Sequence, residues 1–153
     1  GIKGFSFVLA GRLGAPHYLA AADLRQLADM GITIGLHGHD HVDWRSLDDA
    51  GLRRELVEAR AMLADALGAA IEHVAIPLGR YDRRVMRQLH REGFAHIHTS
   101  DWGRFDPAER VWNRNTIWHD PAGQDLASAL RGDQSLLRKL RGRTSQLLRR
   151  HVL

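Results

Sequence analysis

The chain has 153 residues, of which 44% are hydrophobic and 26% are charged, a balance typical of a globular domain. It contains no cysteine, which excludes disulfides, cysteine-ligated zinc and thiol catalysis and leaves His, Asp and Glu as the side chains able to bind a metal. No apolar run approaches the ~20 residues of a membrane-spanning helix, and the N-terminus lacks the basic-then-apolar pattern of a signal peptide. We therefore expect neither feature in this chain, and the compartment stays open.

The net charge of +4 is unevenly distributed along the chain. Residues 131–153 contain seven Lys or Arg residues and one Asp, a net charge of +6, whereas residues 1–130 contain 15 basic and 17 acidic residues, a net charge of −2. Leucines lie between the basic residues, so we predict a main domain over 1–130 followed by a basic amphipathic helical tail over 131–153. This tail either packs on the domain or contacts an anionic membrane surface. No aromatic residues alternate with its charges, so nucleic acid is not expected as a partner.

Short apolar segments alternate with amphipathic helical patterns from the N-terminus onward. Strands are predicted over residues 2–10, 32–36, 71–79, 94–100 and 110–118, and helices over residues 21–31, 46–68 and 81–94. For the second helix, Ser46 and Asp49 indicate a capping-box start. Alternating strands and helices predict an α/β fold with a parallel sheet or barrel, in which functional residues collect where the strands end.

Polar clusters follow three of these predicted strands, and the densest is "GLHGHDHVDW", residues 35–44. His37 and His41 are four residues apart, and on a helical turn this spacing would point both imidazoles toward one metal ion, with His39 facing elsewhere. Solvated loop histidines are the alternative interpretation. A second alternative is the H-x-H-x-D-H pattern of metallo-β-lactamase-like hydrolases, although "HGHDH" is one residue shorter.

Three segments together resemble the polysaccharide deacetylase family, carbohydrate esterase family four, which contains the chitooligosaccharide deacetylase homology domain. "LADMGITIGLHGHDH" resembles the family's second motif, in which a strand leads into H-[S/T/G]-x-x-H. "IEHVAIPLGRYD" resembles its P-[Y/F]-G-x-[Y/F]-[D/N] segment, and "HTSDWG" resembles the following strand end. The resemblance covers about residues 2–118, and the order and spacing of the motifs are more specific than any one of them.

The resemblance implies a distorted (β/α) barrel and a metal-dependent hydrolase that removes N- or O-acetyl groups from an acetylated glycan substrate. The implied cofactor is one divalent metal, most often zinc, and the implied ligands include His37 and His41. The backbone N–H of Leu78 would stabilise the oxyanion, and His119 is a candidate acid. The implied substrate-binding residues are Pro77, Tyr81, Asp101 and Trp102.

This chain departs from the family pattern in two places. No strand ending in Asp-Asp precedes His37, so the barrel lacks its first strand and with it the general base and the third metal ligand, for which Asp40, Asp43 or Asp101 could substitute. Ala75 stands where the family's base-orienting Arg is usual.

Two explanations follow from these departures. An N-terminally incomplete deacetylase domain is the preferred one, and a catalytically silent carbohydrate-binding relative is the alternative. A missing first strand would leave a sheet edge open, so we also expect marginal stability or self-association through that edge.

Overall fold

The computed structural model describes residues 4–104, 106–115 and Leu148. Within this part of the chain, five parallel strands form one sheet, in the order in which they occur along the sequence. The predicted parallel α/β sheet and the position of each strand are thereby confirmed. The strands are β1 (Gly4–Val8), β2 (Ile32–Leu36), β3 (His73–Ala75), β4 (His96–Thr99) and β5 (Val111–Asn113).

Helices connect the first four strands. Helix α1 (Ala21–Asp29) lies between β1 and β2, and α4 (Arg83–Arg91) lies between β3 and β4. The connection from β2 to β3 contains α2 (Asp49–Arg53), a π-helical segment (Arg54–Glu58) and α3 (Ala59–Leu67), which follow one another directly. None of the described helices has the length and apolar character needed to span a membrane.

The start of α2 differs from the predicted capping box. Ser46 belongs to a preceding 3₁₀ turn, where its hydroxyl donates to the Asp43 carbonyl at 2.8 Å. The carboxylate of Asp48 caps α2 instead, by accepting a hydrogen bond from the Gly51 N–H at 2.8 Å. A carboxylate also interacts favourably with the positive end of the helix dipole, which a hydroxyl does not match.

The two faces of the sheet have different characters because successive side chains of a strand point to opposite sides. One face is apolar and buried beneath the helices, with Val8, Leu36, Val74 and Ile97 packed in the same core as Leu24, Leu56, Leu63, Val85 and Leu89. The opposite face is lined by Phe5, Phe7, His73, His98 and Trp112, whose rings contact one another.

The parallel arrangement brings the carboxyl ends of all five strands to one edge of the sheet. The loops after β1 and β2 are joined there, since the Ala10 N–H donates to the Gly38 carbonyl at 3.0 Å and the Gly11 N–H donates to the His39 carbonyl at 3.1 Å. This edge therefore holds the histidine-rich segment, as expected for a βα fold.

Candidate active site

The histidine loop, residues 37–43, begins directly after β2. The rings of His37 and His41 approach one another, with their centroids 4.9 Å apart and their planes at 51°. The predicted helical turn is wrong, because this loop contains no helix. The chain instead turns at two residues with left-handed backbone conformation, Gly38 at φ +85° and His41 at φ +61°. Strained positive-φ residues other than glycine are concentrated at functional sites.

A hydrogen bond from the neighbouring strand sets the orientation and protonation of His37. Its Nδ1 lies 2.9 Å from the carbonyl oxygen of Ala75 at the end of β3. A carbonyl only accepts hydrogen bonds, so Nδ1 carries the proton and Nε2 of the neutral ring keeps a free lone pair. Burial lowers the pKa of His37; the Ala75 carbonyl opposes this shift, and the nearby His41 and Arg114 add to it. The ring is therefore neutral at pH 7, the form that binds metals.

The spacing of the two rings fits a shared metal ion. Two imidazoles bound to one tetrahedral zinc, with Zn–N distances of about 2.1 Å, have ring centres about 5 Å apart. The observed separation between His37 and His41 is 4.9 Å. The free Nε2 lone pair of His37 is a donor of the kind that binds divalent transition-metal ions.

A second group of potential ligands lies beside the first. The ligand atoms of His39, Asp40 and Glu55 all lie within 4.8 Å of one another, and this is the one group of three or more His, Asp or Glu side chains so arranged among the described residues. No third acidic or histidine ligand thus accompanies His37 and His41 in that part of the chain. The third ligand implied by the resemblance belongs to an Asp-Asp motif that does not precede His37 in this sequence.

The three carboxylates expected to substitute for that ligand have other partners. Asp40 Oδ1 lies 2.7 Å from Nδ1 of His39. Asp43 accepts two hydrogen bonds from the Arg45 side chain, at 3.0 and 2.7 Å, and these bonds lower the pKa of Asp43 to about 2. Asp101 is buried and accepts a hydrogen bond from the hydroxyl of Tyr81. Their role as ligands stays a prediction.

The loop after β3 lies next to the histidine loop through the bond between His37 and Ala75. Leu78 adopts a left-handed conformation, φ +58° and ψ 0°, and half of its side chain is exposed. Pro77 is buried. Tyr81 and Asp101 form a buried pair that ties this loop to the end of β4, and Trp102 is half-buried. Substrate binding by these residues stays a prediction, and His119 lies outside the described residues.

A cavity of about 360 Å³ opens beside the histidine pair, and sequence reasoning missed most of its lining. The loop between β1 and α1 contributes Arg12 and Tyr18, whose guanidinium and ring lie 6.0 Å apart. The sequence signal was available, because this loop follows the first strand and so lies at the same edge as the histidines. The remaining lining residues are Phe7, Val8, Leu9, Leu13, Leu19, His37 and His41.

A second group of histidines, the sheet histidines, comprises His73, His96 and His98 on the open face of the sheet. His73 Nδ1 and His98 Nε2 lie 3.1 Å apart, and the His96 ring lies 4.1 Å from that of Trp112. His98 is 3% exposed. Burial lowers the pKa of His98 to about 3, with further lowering from His73, Arg114 and His96. His98 is therefore a neutral, buried residue at pH 7.

Comparison with known proteins finds similarity to polysaccharide deacetylases. The polysaccharide deacetylase family model matches residues 1–97. The curated Bacillus subtilis protein YxkH, which carries the polysaccharide deacetylase name, is 21% identical over 94 residues, which make up 61% of this chain and 34% of YxkH. The chain thus spans about a third of this relative's length.

Solved structures show the same fold at low identity. The Bacillus anthracis protein BA0330 has a TM-score of 0.75 and 20% identity, over 86% of this chain and 42% of its own. The Streptococcus pyogenes deacetylase PplD, solved in complex with acetate, has a TM-score of 0.74 and 18% identity, over 83% and 58%. The Bacillus anthracis protein BA3943, described as a pseudoenzyme of carbohydrate esterase family four, has a TM-score of 0.54 and 20% identity, over 66% and 36%.

These matches favour the deacetylase interpretation of the histidine loop over the metallo-β-lactamase-like one. The five-stranded parallel sheet is accordingly part of a distorted (β/α) barrel, and the chain spans less than two thirds of each of these three structures. With the family model matching 97 of the 153 residues, the chain belongs to the polysaccharide deacetylase family.

Proposed function

We propose that this chain carries the two-histidine part of a metal-dependent deacetylase that removes acetyl groups from acetamido sugars of a glycan. The observation that carries the proposal is the convergence of His37 and His41, with ring centroids 4.9 Å apart. The bond from His37 Nδ1 to the Ala75 carbonyl supports it, because it leaves Nε2 free to bind an ion.

The proposed cofactor is a single zinc ion held by His37 and His41. When bound, such an ion polarises the acetyl carbonyl and makes water a stronger nucleophile at neutral pH. The chain's own residues supply orientation and an oxyanion donor. The backbone N–H of Leu78 is the proposed donor, supported by the strained conformation at φ +58° and by its position just after Ala75, whose carbonyl holds His37.

The proposed substrate is an acetylated glycan that enters the cavity beside the two histidines. The volume of about 360 Å³ is large enough for one sugar ring with its acetamido group, and the cavity lining offers both apolar and cationic side chains, among them Tyr18 and Arg12. The acetate bound to PplD supports acetate as the product. Pro77, Tyr81, Asp101 and Trp102 would bind the parts of the glycan nearer to β3 and β4.

Acetate release from N-acetylated chitooligosaccharides in the presence of zinc tests this proposal. We expect His37→Ala and His41→Ala each to lower the rate at least 100-fold, since each removes one of the few ligands. His90→Ala is the matched control, because His90 is an exposed histidine at the far end of α4. If the wild type releases acetate and the histidine-loop variants release it at the same rate, the metal site is refuted.

A second candidate function is a catalytically silent glycan-binding domain. It is favoured by the lack of a third His, Asp or Glu ligand next to His37 and His41 among the described residues. BA3943, a pseudoenzyme with the same fold, is a precedent. Oligosaccharide binding without acetate release, unaffected by His37→Ala, is the result that would select this candidate.

Two further partners belong to the proposal. The first is a second copy of this chain. Among the described strands, β1 pairs only with β2, and Phe5 on the open face is 42% exposed. Both observations support self-association through the free edge of β1. Contact of the basic tail with an anionic membrane surface rests on the charge pattern of residues 131–153. Apart from Leu148, that tail lies outside the described residues.

A further inference from the structure

Glu55 is an unusual residue for the core position that it occupies. It lies in the π-helical segment between α2 and α3 and is 2% exposed, next to the fully buried Leu56. Burying a carboxylate is costly unless hydrogen bonds replace its water shell. The hydrogen-bond partners of Glu55 therefore indicate what its buried carboxylate does in the fold.

The partners of Glu55 are three N–H groups in or next to the histidine loop. Oε2 accepts from the backbone N–H of His39 at 2.9 Å and from the indole N–H of Trp44 at 3.0 Å. Oε1 accepts from the backbone N–H of Asp40 at 3.0 Å. The two backbone donors lie between His37 and His41, so Glu55 binds the part of the loop that connects the two rings.

The opposite side of the same loop is bound by the loop after β1. The carbonyl groups of Gly38 and His39 accept from Ala10 and Gly11, at 3.0 and 3.1 Å. The carbonyls of residues 38 and 39 and the amides of residues 39 and 40 are thus all engaged. The backbone between the two histidines is fixed from both sides, which leaves their side chains as the groups that face the cavity.

The fit between Glu55 and the loop is close. A Cβ atom at Gly38 would lie 2.3 Å from Oε2 of Glu55 and 3.2 Å from the Trp44 ring. A glycine at φ +85° is therefore required both by the backbone conformation and by the approach of the carboxylate. Gly38, at which the loop turns, is thus in close contact with Glu55, which binds the loop.

Hydrogen bonding explains the burial of the Glu55 carboxylate better than a metal ion bound by His39, Asp40 and Glu55 would. Both oxygens of Glu55 already accept N–H donors. In addition, the Arg54 guanidinium lies 3.3 Å from Asp40 Oδ2 and 3.3 Å from His39 Nδ1. A cation thus already stands beside the other two members of the group.

We infer that Glu55 is a positioning residue, which holds the backbone of residues 39 and 40 so that His37 and His41 converge on one ion. The inference rests on the proposed metal site and adds the group that organises it. Residues that orient metal ligands without touching the ion typically change metal affinity 10–100-fold when they are replaced.

The test compares Glu55→Gln with the wild type in two measurements on the full chain. Titration with Co²⁺, followed by its visible absorption, reports affinity and coordination geometry. We expect the affinity to fall 10–100-fold, because the amide of Gln replaces one acceptor oxygen with a second donor. Amide hydrogen exchange, measured without metal, should lose protection at His39 and Asp40 while β2 keeps its protection.

Glu58→Gln is the matched control, because Glu58 lies in the same segment but is exposed and forms a 3.7 Å ion pair with Arg53 on the surface. It should leave both measurements unchanged. If Glu55→Gln does not fold, Trp44→Phe removes one of the three donors and should lower Co²⁺ affinity by a smaller factor.

The two measurements separate the inference from the proposed function. If the wild type binds no Co²⁺, the metal site fails, and hydrogen exchange at residues 39 and 40 still decides whether Glu55 holds the loop. If the wild type binds Co²⁺ and Glu55→Gln binds it equally well with unchanged exchange, the role of Glu55 is refuted and the metal site stands.

Discussion

The chain contains two groups of histidines in different surroundings, the histidine loop and the sheet histidines. His37 and His41 lie at a strand end beside a cavity, and the Nδ1 of His37 is bound to a carbonyl. His73 and His98 lie among aromatic rings on the open face of the sheet and contact each other at 3.1 Å. Histidine therefore lies in the environment of a metal ligand in the histidine loop, whereas in the sheet it packs among aromatic rings.

This difference shows why spacing alone identifies a metal site poorly. The sheet contains H-x-H at positions 96 and 98, a pattern as suggestive as H-x-x-x-H at 37 and 41. Burial among rings keeps His98 neutral and leaves it little access to an ion, whereas the loop offers a lone pair beside open space. Three experiments test this distinction.

The largest expected effect is on the pH dependence of folding. The pKa of His98 falls from an ordinary value of 6.5 to about 3 in the fold. Between these two values the unfolded chain binds more protons than the native chain, so stability is lost as the pH falls through that window. We expect His98 to account for about 2–3 kcal/mol of the stability lost between pH 7 and pH 4.

Urea unfolding of His98→Phe at a series of pH values measures this contribution. The variant should show a shallower loss of stability below pH 6.5, whereas the control His90→Asn, at an exposed residue near the end of α4, should keep the wild-type slope. Parallel pH profiles for His98→Phe and the wild type would show that His98 is not a buried neutral residue.

The next largest effect is expected at the turn of the histidine loop. Gly38→Ala should destabilise the chain by about 2 kcal/mol, about half from the left-handed backbone and half from the clash with Glu55. It should also weaken zinc binding, because the loop must shift to accommodate the methyl group. Calorimetric melting and zinc titration measure the two effects.

Gly31→Ala is a close control for that change. Gly31 has φ +86°, nearly the value of Gly38, but a Cβ there would meet no atom of the described residues within 4 Å. It should lose only the backbone contribution of about 1 kcal/mol and bind zinc normally. Equal destabilisation by the two substitutions would mean that the loop does not depend on its contact with Glu55.

The smallest effect is expected at the edge of the open sheet face. Phe5→Lys places a charge at the exposed end of the face that carries the sheet histidines, so it should weaken self-association several-fold. Sedimentation velocity over a concentration series measures this. Met30→Lys, a similar change at a residue that is 71% exposed after α1, should leave association unchanged. A wild-type chain that is monomeric at every concentration would contradict the edge interface.

Much of the fold was predictable because the spacing of apolar residues along the chain reflects which side of each strand or helix is buried. Apolar runs marked the strands, and the helix predicted over residues 81–94 contains α4, at whose start Asp82 accepts a hydrogen bond from the Val85 N–H at 2.8 Å. The start of α2 was misplaced, since Ser46 and Asp48 are both good caps and only the surrounding packing selects between them.

The candidate site was predictable only in part. His37 and His41 stand out by residue type and spacing, but the helical turn assumed for them is absent, and the rings meet through two left-handed residues. Arg12, Tyr18 and Glu55 were missed. Each reaches the site by the folding of a separate loop or helix. The position of the loop after β1 could have indicated Arg12 and Tyr18, whereas no local pattern records the contact of Glu55 with the histidine loop.

The sequence by itself determined the alternation of strands and helices, the position of the histidine loop and the family to which the chain belongs, because hydrophobic period and motif order are local properties. The tertiary structure alone decided which histidines face a cavity and which are buried in the sheet, and it alone joined Glu55 to the amides of residues 39 and 40. Those outcomes depend on distances between segments far apart in the chain, which are set only when the sheet brings the strand ends to one edge.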